Sequence, residues 1–415
     1  MEIHGLEESL WVPDQSMERI IMRLSNVRSA SLSAALGAGL LVGLAAAPAH
    51  ATRFVVTNLV SDGSVPAATI DPNLINPWGI AYAPKGPFWV SDNNAGVSTL
   101  YNGAGSKLGL TVNIPPPIGA TGAGAPTGVV FNGSGGFNVT SGGKTGSAVF
   151  MFATEDGTIS GWSPSVDVNN AIVALDNSTM GLGSVYKGLA MATDGGSNVI
   201  YASDFRNGLI DEYNSSFGLV RAFTDPTVAT GYAPFDVQTL DGHLFVTYAL
   251  QNGAKHDDVA GPGNGYVDEF NLDGSFDKRL VSQGGQINSP WGLDIAPASF
   301  GQFAGDLLVG NFGDGTISAF NATTGAFAGV LDGTDGKPLV LGDLWGLING
   351  NGGSGGDPNK LYFTAGVMDE AHGLFGSISA VPEPATWAMM GLGAGLIGGM
   401  MRRRSADLRN GLAAA

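Results

Sequence analysis

A repeat dominates this chain and leaves few folds open to it. Six times the sequence runs through an apolar segment, five times with a glycine near its start, then a second apolar segment ending in polar residues, and a third apolar segment. The copies read NPWGIAYA, FWVSDNN and VSTLYN (from Asn76, Phe88 and Val97); APTGVVF, FNVTSGG and AVFMFA (Ala125, Phe137, Ala148); YKGLAMA, VIYASDFRNG and LIDEYN (Tyr186, Val199, Leu209); APFDVQ, LFVTYAL and YVDEFN (Ala233, Leu244, Tyr266); SPWGLDIA, LLVGNFGDG and ISAFN (Ser289, Leu307, Ile317); and LWGLING, LYFTAG and FGSISA (Leu344, Leu361, Phe375). Gly79, Gly128, Gly188, Gly292 and Gly346 open five copies, with Phe235 and Asp236 standing in the fourth. The resulting spacing of about 50 to 60 residues is the period of β-propeller blades. The expected fold is all-β: a six-bladed propeller of four-stranded antiparallel blades.

Turn chemistry agrees. Asn-Gly or Asp-Gly pairs begin at Asn102, Asn132, Asp156, Asn207, Asp241, Asp273 and Asp314, where hairpins call for positive φ. A ring left open would expose strand edges. The segment FVVTNLV (54–60) has no hairpin partner of its own, so it is expected to close the sixth blade beside residues 375–380. The Gly- and Pro-rich stretches 114–126 and 350–359 read as connections between blades, and residues 52–380 read as one domain.

Composition narrows the functional classes. Net charge is −17, with few Lys and Arg between residues 52 and 380, so the sequence predicts no nucleic-acid partner. There is no cysteine, which removes disulfides, thiolate metal sites and a cysteine nucleophile together.

The two ends carry addresses. Arg23 and Arg28 precede an apolar run over 34–47, and Ala49, His50 and Ala51 form a small-residue cleavage site, so residues 1–51 read as a signal peptide handled by the export machinery. The acidic stretch 1–16 is unlike a signal-peptide start, whereas Met17 or Met22 would each begin a conventional one. Residues 381–404 comprise VPEP with Pro382, Glu383 and Pro384, an apolar Gly-rich stretch over 385–401, and Arg402, Arg403 and Arg404. This order resembles a PEP-CTERM sorting signal. The resemblance implies a transmembrane helix over 385–401 with its arginines on the cytoplasmic side, and an exosortase as partner, cutting near Pro382 to Pro384. A tail, 405–415, extends beyond the arginines. The expected location is the cell envelope, the cell surface or the medium.

In a propeller, the start of each innermost strand and the loop after the second strand share one face. That face should gather Trp78, Asp92, Asn93, Asn94, Asp204, Arg206, Lys255, His256, Asp257, Asp258, Asn264, Trp291, Asn311, Asp314, Trp345, Asp369, Glu370 and His372. Adjacent carboxylates with a histidine in KHDD (255–258), inside the insertion 251–265, can hold a hard cation or serve as acid and base; the alternative is a solvated loop whose aspartates cap turns. The group from Asp369 to His372 is a second candidate against the same alternative. Oxygen ligands for a divalent cation, Ca²⁺ or Mg²⁺, could come from Asp92, Asn93, Asp257, Asn311 and Asp369. The tryptophans either line the core or offer a stacking platform for a sugar ring.

No G-x-S-x-G elbow, Walker loop, dinucleotide fingerprint or H-E-x-x-H is present. The segments KHDDVAGPGNGYVDEF (from Lys255), SPWGLDIAPASFG (Ser289), LLVGNFGDGTISAFN (Leu307), DLWGLINGNGG (Asp343) and DEAHGLFGSI (Asp369) resemble an uncharacterised bacterial propeller family associated with PEP-CTERM tails. More loosely, the repeat is similar to NHL and lactonase-like six-bladed propellers, some of which hold a divalent cation at the channel mouth. Two functions stay open: a matrix-associated module binding an extracellular polysaccharide or protein, and a metal-dependent hydrolase or lyase of the lactonase-like type.

Overall fold

The structure, a computed structural model, describes residues 52–179 and 183–381. The signal peptide, the helix expected over 385–401, the tail and the sorting residues Pro382, Glu383, Pro384, Arg402, Arg403 and Arg404 lie outside the described residues.

Six four-stranded antiparallel sheets follow one another in chain order, as the repeat requires. The first runs Pro77–Tyr82, Phe88–Asp92, Val97–Tyr101 and Lys107–Asn113, from innermost to outermost strand. The third, fourth and fifth begin at Tyr186–Asp194, Tyr232–Leu240 and Pro290–Ile295, with the same order of pairing. The sixth takes Leu344–Asn349, Leu361–Ala365 and Leu374–Val381 from the end of the chain and its outermost strand, Arg53–Ser61, from the beginning. Phe54 lies opposite Ala380 and Val60 opposite Phe375, the closure expected from the sequence. Two short parallel strands, Thr69–Ile70 and Asp332–Gly333, cover the outer edge of Arg53–Ser61, where bare backbone would otherwise invite a foreign strand.

The opening glycines are there because neighbouring innermost strands nearly touch. A Cβ on Gly292 would lie 2.2 Å from the carbonyl oxygen of Trp345, and one on Gly128 would lie 2.3 Å from the amide nitrogen of Leu189. In the fourth blade Asp236 fills this position, and burial pushes its carboxyl well above the usual range.

Three local expectations need correcting. Residues 137–143 are not the second strand of the second blade; Asn138–Ser141 and Lys144–Ser147 form an inserted hairpin of their own. The blade itself is Pro126–Phe131, Phe150–Thr154, Thr158–Trp162 and Ile172–Asp176. The hairpin alternates like a blade strand because it covers the core with one face, burying Val139 and Phe137. The stretch 350–359 joins two strands within the sixth blade rather than two blades. At Asn102 and Asn132 the following glycine has no positive φ; the asparagine Oδ1 instead accepts backbone N–H groups from Ala104 and Ser106, and from Ser134. Asp241 and Gly242, by contrast, both have positive φ between the paired residues Leu240 and His243, a type I′ hairpin.

Acidic residues are also built into the blade interiors. Burial raises the carboxyls of Asp211 to about 6, and of Asp268 and Asp294 to about 7. For Asp268 the bond from Arg279, 3.0 Å away, offsets only part of that cost.

Two predictions follow from these contacts. Gly292→Ala should cost several kcal/mol in denaturant unfolding, in the manner of overpacked cores, whereas Gly285→Ala, with open space around its Cβ, should stay within about 0.5 kcal/mol of wild type. Between the unfolded carboxyl range near pH 4 and about pH 7, the folded state retains protons on Asp211, Asp268 and Asp294 that the unfolded chain has released, so stability falls as pH rises. The urea midpoint should therefore be higher at pH 5 than at pH 7.5, and Asp294→Asn should narrow the difference.

Candidate functional site

One backbone bond recurs in every blade and explains why polar loops gather at one end of the ring. The first residue after each second strand donates its N–H to the carbonyl just before the innermost strand: Asn93 to Asn76, Glu155 to Ala125, Phe205 to Val185, Gln251 to Gly231, Phe312 to Ser289 and Gly366 to Asp343, all at 2.7–3.1 Å. Strand starts and second-strand exits are thus tied together at a common mouth.

The residue preceding each opening position points into the ring. In chain order these are Trp78, Thr127, Lys187, Phe235, Trp291 and Trp345, all buried. Because they come from different blades, their contact marks the axis. Trp78 stacks on Trp345 at 3.5 Å between ring centroids, and Trp291 meets both edge-on, at 6.1 and 5.6 Å. Phe235 and Phe312 pack against Trp345. The tryptophans therefore form a core plug and offer no exposed face for a sugar. Lys187 is the exception among them: its apolar stem follows the aromatic wall, and its ammonium sits 4.9 Å from the centroid of Trp78.

Around that ammonium the mouth is stitched from blade to blade. Lys187 Nζ donates to Glu155 Oε1 of the second blade and lies 3.5 Å from Asp257 Oδ1 of the fourth. Glu155 Oε2 accepts from Asn93 Nδ2 of the first blade at 3.0 Å. Asp257 Oδ1 also meets His256 Nδ1 at 2.7 Å, and Asp257 Oδ2 accepts from Asn252 at 3.2 Å. The bond to His256, helped by Lys187, holds the Asp257 carboxyl down to about 2, and the same bond raises His256 above its ordinary value. Burial raises neighbouring Asp258, whose Oδ2 has no hydrogen-bond partner. On the far side, Asn76 Nδ2 donates to Glu370 Oε2 at 2.7 Å, while Asn76 Oδ1 accepts from Trp345 Nε1 at 3.0 Å. Burial pushes Glu370 up to about 7, with the charge of Glu155 adding to the shift and Asn76 and Lys187 opposing it. Met368, Asp369 and Glu370 are three successive non-glycine residues at positive φ, a strained turn held by Asn94 Nδ2 donating to the Glu370 carbonyl at 2.8 Å.

Of the residues singled out in the sequence, Asn93, Asn94, His256, Asp257, Asp258 and Glu370 join this cluster, with Trp78, Trp291 and Trp345 beneath it. The rest are placed differently. Asp204 and Asn311 are buried turn clamps, the first bonded to Asn207 and the second to Thr316 and the Asn288 amide. Asp314 caps the turn at Thr316. Asp92 accepts from the Thr99 hydroxyl at 2.7 Å, deep in the first blade. Asn264 bridges Tyr232 and Val259. His372 pairs with Asp62 at 2.7 Å. Lys255 and Asp369 are exposed, and the Arg206 carbonyl accepts from Gln251. Of the proposed cation ligands, Asn93 and Asp257 share this cluster, whereas Asp92 lies inside the first blade with only Oδ2 bonded, Asn311 is spent on a turn, and Asp369 is exposed.

Sequence reasoning passed over Glu155, Lys187 and Asn76. Reading the second blade one hairpin early hid Glu155, which lies in the true second-strand exit. Aligning the six opening positions would have found Lys187, the one charged residue in a register otherwise held by Trp, Phe and Thr.

Three residues here have the spacing of cation ligands. Ligand atoms of Glu155, His256 and Asp257 lie within 4.8 Å of one another, yet both oxygens of Glu155 and both of Asp257 already accept from Lys187, Asn93, His256 and Asn252. The site as built does not fit a metal, because the ammonium is already among the ligands.

Residues 380–405 match the PEP-CTERM protein-sorting motif, which implies processing by an exosortase and export to the cell envelope or surface. The described fold resembles virginiamycin B lyase from Staphylococcus aureus only distantly, at 12% identity and a TM-score of 0.45, over 79% of this chain and 100% of that one. In sequence, the chain is 34% identical over 337 residues to "Uncharacterized protein R648" of Acanthamoeba polyphaga mimivirus, covering 79% of this chain and 80% of the relative. It is 33% identical over 331 residues to "Uncharacterized protein L690" of the same virus, covering 78% and 85%. With a six-bladed ring carrying a stitched polar mouth, and this similarity along most of its length, the chain belongs to the family of these two mimivirus proteins.

Proposed function

We propose that the protein is a surface-sorted binding module, and that its channel mouth holds a hydroxyl-rich extracellular polysaccharide. The observation that carries this reading is the layering of the mouth. Apolar rings and the one ammonium are buried below, and planar hydrogen-bonding groups stand at the rim, among them exposed Asn94 and Asp257 and half-buried His256 and Glu370. Amides and carboxylates of this kind match vicinal hydroxyls by paired donor and acceptor bonds.

A hydrolase or lyase of the lactonase-like kind is the second reading; the sequence alone suggests a metal-dependent one, but here the carboxylates at the mouth are already paired with Lys187, so the chemistry would rest on the carboxyls themselves. It draws on Glu370, raised to about 7, in the same cluster as Asp257, held to about 2, because separated carboxyl pKa values are how acid and base roles are divided. Lactone or ester turnover by the purified protein, lost in Glu370→Gln, would favour it over the binding module.

Binding to immobilised matrix polysaccharide should weaken roughly 10-fold in Asn94→Ala, the scale of one lost hydrogen bond of about 1.4 kcal/mol. Unchanged affinity in that variant, or binding that follows a protein partner instead, would count against the polysaccharide. For the sorting tail, replacing Arg402, Arg403 and Arg404 with Gln should leave a longer, unprocessed form in the membrane fraction, seen by electrophoresis of fractionated cells.

A further inference from the structure

We propose that the ammonium of Lys187 is a tethered substitute for a divalent cation at the mouth of this ring. The inference concerns what holds the mouth together and stands whether or not the mouth binds a polysaccharide. Its first support is the ligand geometry: Glu155, His256 and Asp257 offer one ligand atom each within 4.8 Å of one another, the spacing at which carboxylates repel unless a positive charge lies among them. Lys187 supplies that charge, touching Glu155 Oε1 and lying 3.5 Å from Asp257 Oδ1.

The second support is that the arrangement is complete. Glu155 Oε2 is taken by Asn93 and Asp257 Oδ2 by Asn252, so a metal would have to break bonds already made and sit beside a positive charge. The third is placement. Lys187 comes from the register that elsewhere supplies Trp78, Trp291 and Trp345, so its stem rises along the axis and delivers Nζ between the loops of the second and fourth blades. Only 2% of its side chain is exposed, and its charge faces the rings of Trp78 at 4.9 Å and Phe205 at 5.9 Å, surroundings that suit an organic ammonium better than a hydrated divalent ion. Trp291 Nε1 donates to the Lys187 carbonyl at 3.2 Å, fixing the backbone from which the side chain starts.

The experiment is a thermal-unfolding series on the purified protein, with EDTA, Mg²⁺, Ca²⁺ or methylammonium added. Wild type should have the same Tm in all four. Lys187→Met keeps the stem and loses the charge; it should melt lower and recover with rising Mg²⁺, Ca²⁺ or methylammonium, and Glu155→Gln in the same chain should abolish the recovery. A folded Lys187→Met variant, judged by near-ultraviolet circular dichroism, that no cation restores would overturn the proposal. So would a wild-type Tm that rises with a divalent ion and loses that rise in Glu155→Gln. If Lys187→Met does not fold, the wild-type and Glu155→Gln titrations decide alone: no divalent response in either supports the tethered cation, and a response in wild type that Glu155→Gln removes refutes it.

Discussion

Closure of the ring by a strand from the far end of the chain is the constraint on which everything else rests. Arg53–Ser61 pairs with Leu374–Val381 along nearly its whole length, and buried Phe54 packs on Phe300 and Phe303 of the fifth blade. The mouth depends on this joint. Asn76 in the first blade and Glu370 in the sixth are 294 residues apart in sequence and 2.7 Å apart in space. His372 and Asp62 pair across the same seam. Since loop-closure cost grows slowly with length, such a long-range contact is affordable once the five intervening blades fix its distance.

The ring is narrow at its axis, and this decides what the mouth can be. Innermost strands approach closely enough to exclude a Cβ at the five opening glycines, and Trp78, Phe235, Trp291 and Trp345 pack into one buried cluster at this end. An aromatic plug buries large apolar area there, with one indole N–H per tryptophan left to satisfy. Trp345 Nε1 is bonded to Asn76 and Trp291 Nε1 to a carbonyl, but Trp78 Nε1 has no partner. One charged residue among these rings then needs carboxylates nearby, and it finds them in loops of adjacent blades. The strained Met368–Glu370 turn fits the same pattern: its backbone cost is borne where Asn94 and Asn76 hold Glu370 in place.

The ring was legible in the sequence because it is written six times, and the closing strand because it was left without a partner. The second blade was harder. Its inserted hairpin buries Val139 and Phe137 against the blade and so mimics a blade strand in pattern, while differing only in what it pairs with, which periodicity does not record. The mouth was half legible. His256, Asp257 and Glu370 stand out as polar residues in exit loops, but Asp204 and Asn311 look the same in sequence and are spent on turns. Lys187 sits in a register of buried aromatic residues, and only its partners in three dimensions give it meaning.

The position of Val381 bears on how such a molecule would withstand flow. It ends the strand Leu374–Val381, which is flanked on one side by Arg53–Ser61 and on the other by Leu361–Ala365. Drag on a chain fixed through its C-terminal segment enters at that residue, and a pull directed along the strand is shared by two hydrogen-bonded ladders at once. Rungs loaded together in shear resist more than rungs opened one by one, so such a pull would fall on the sheet that completes the circle.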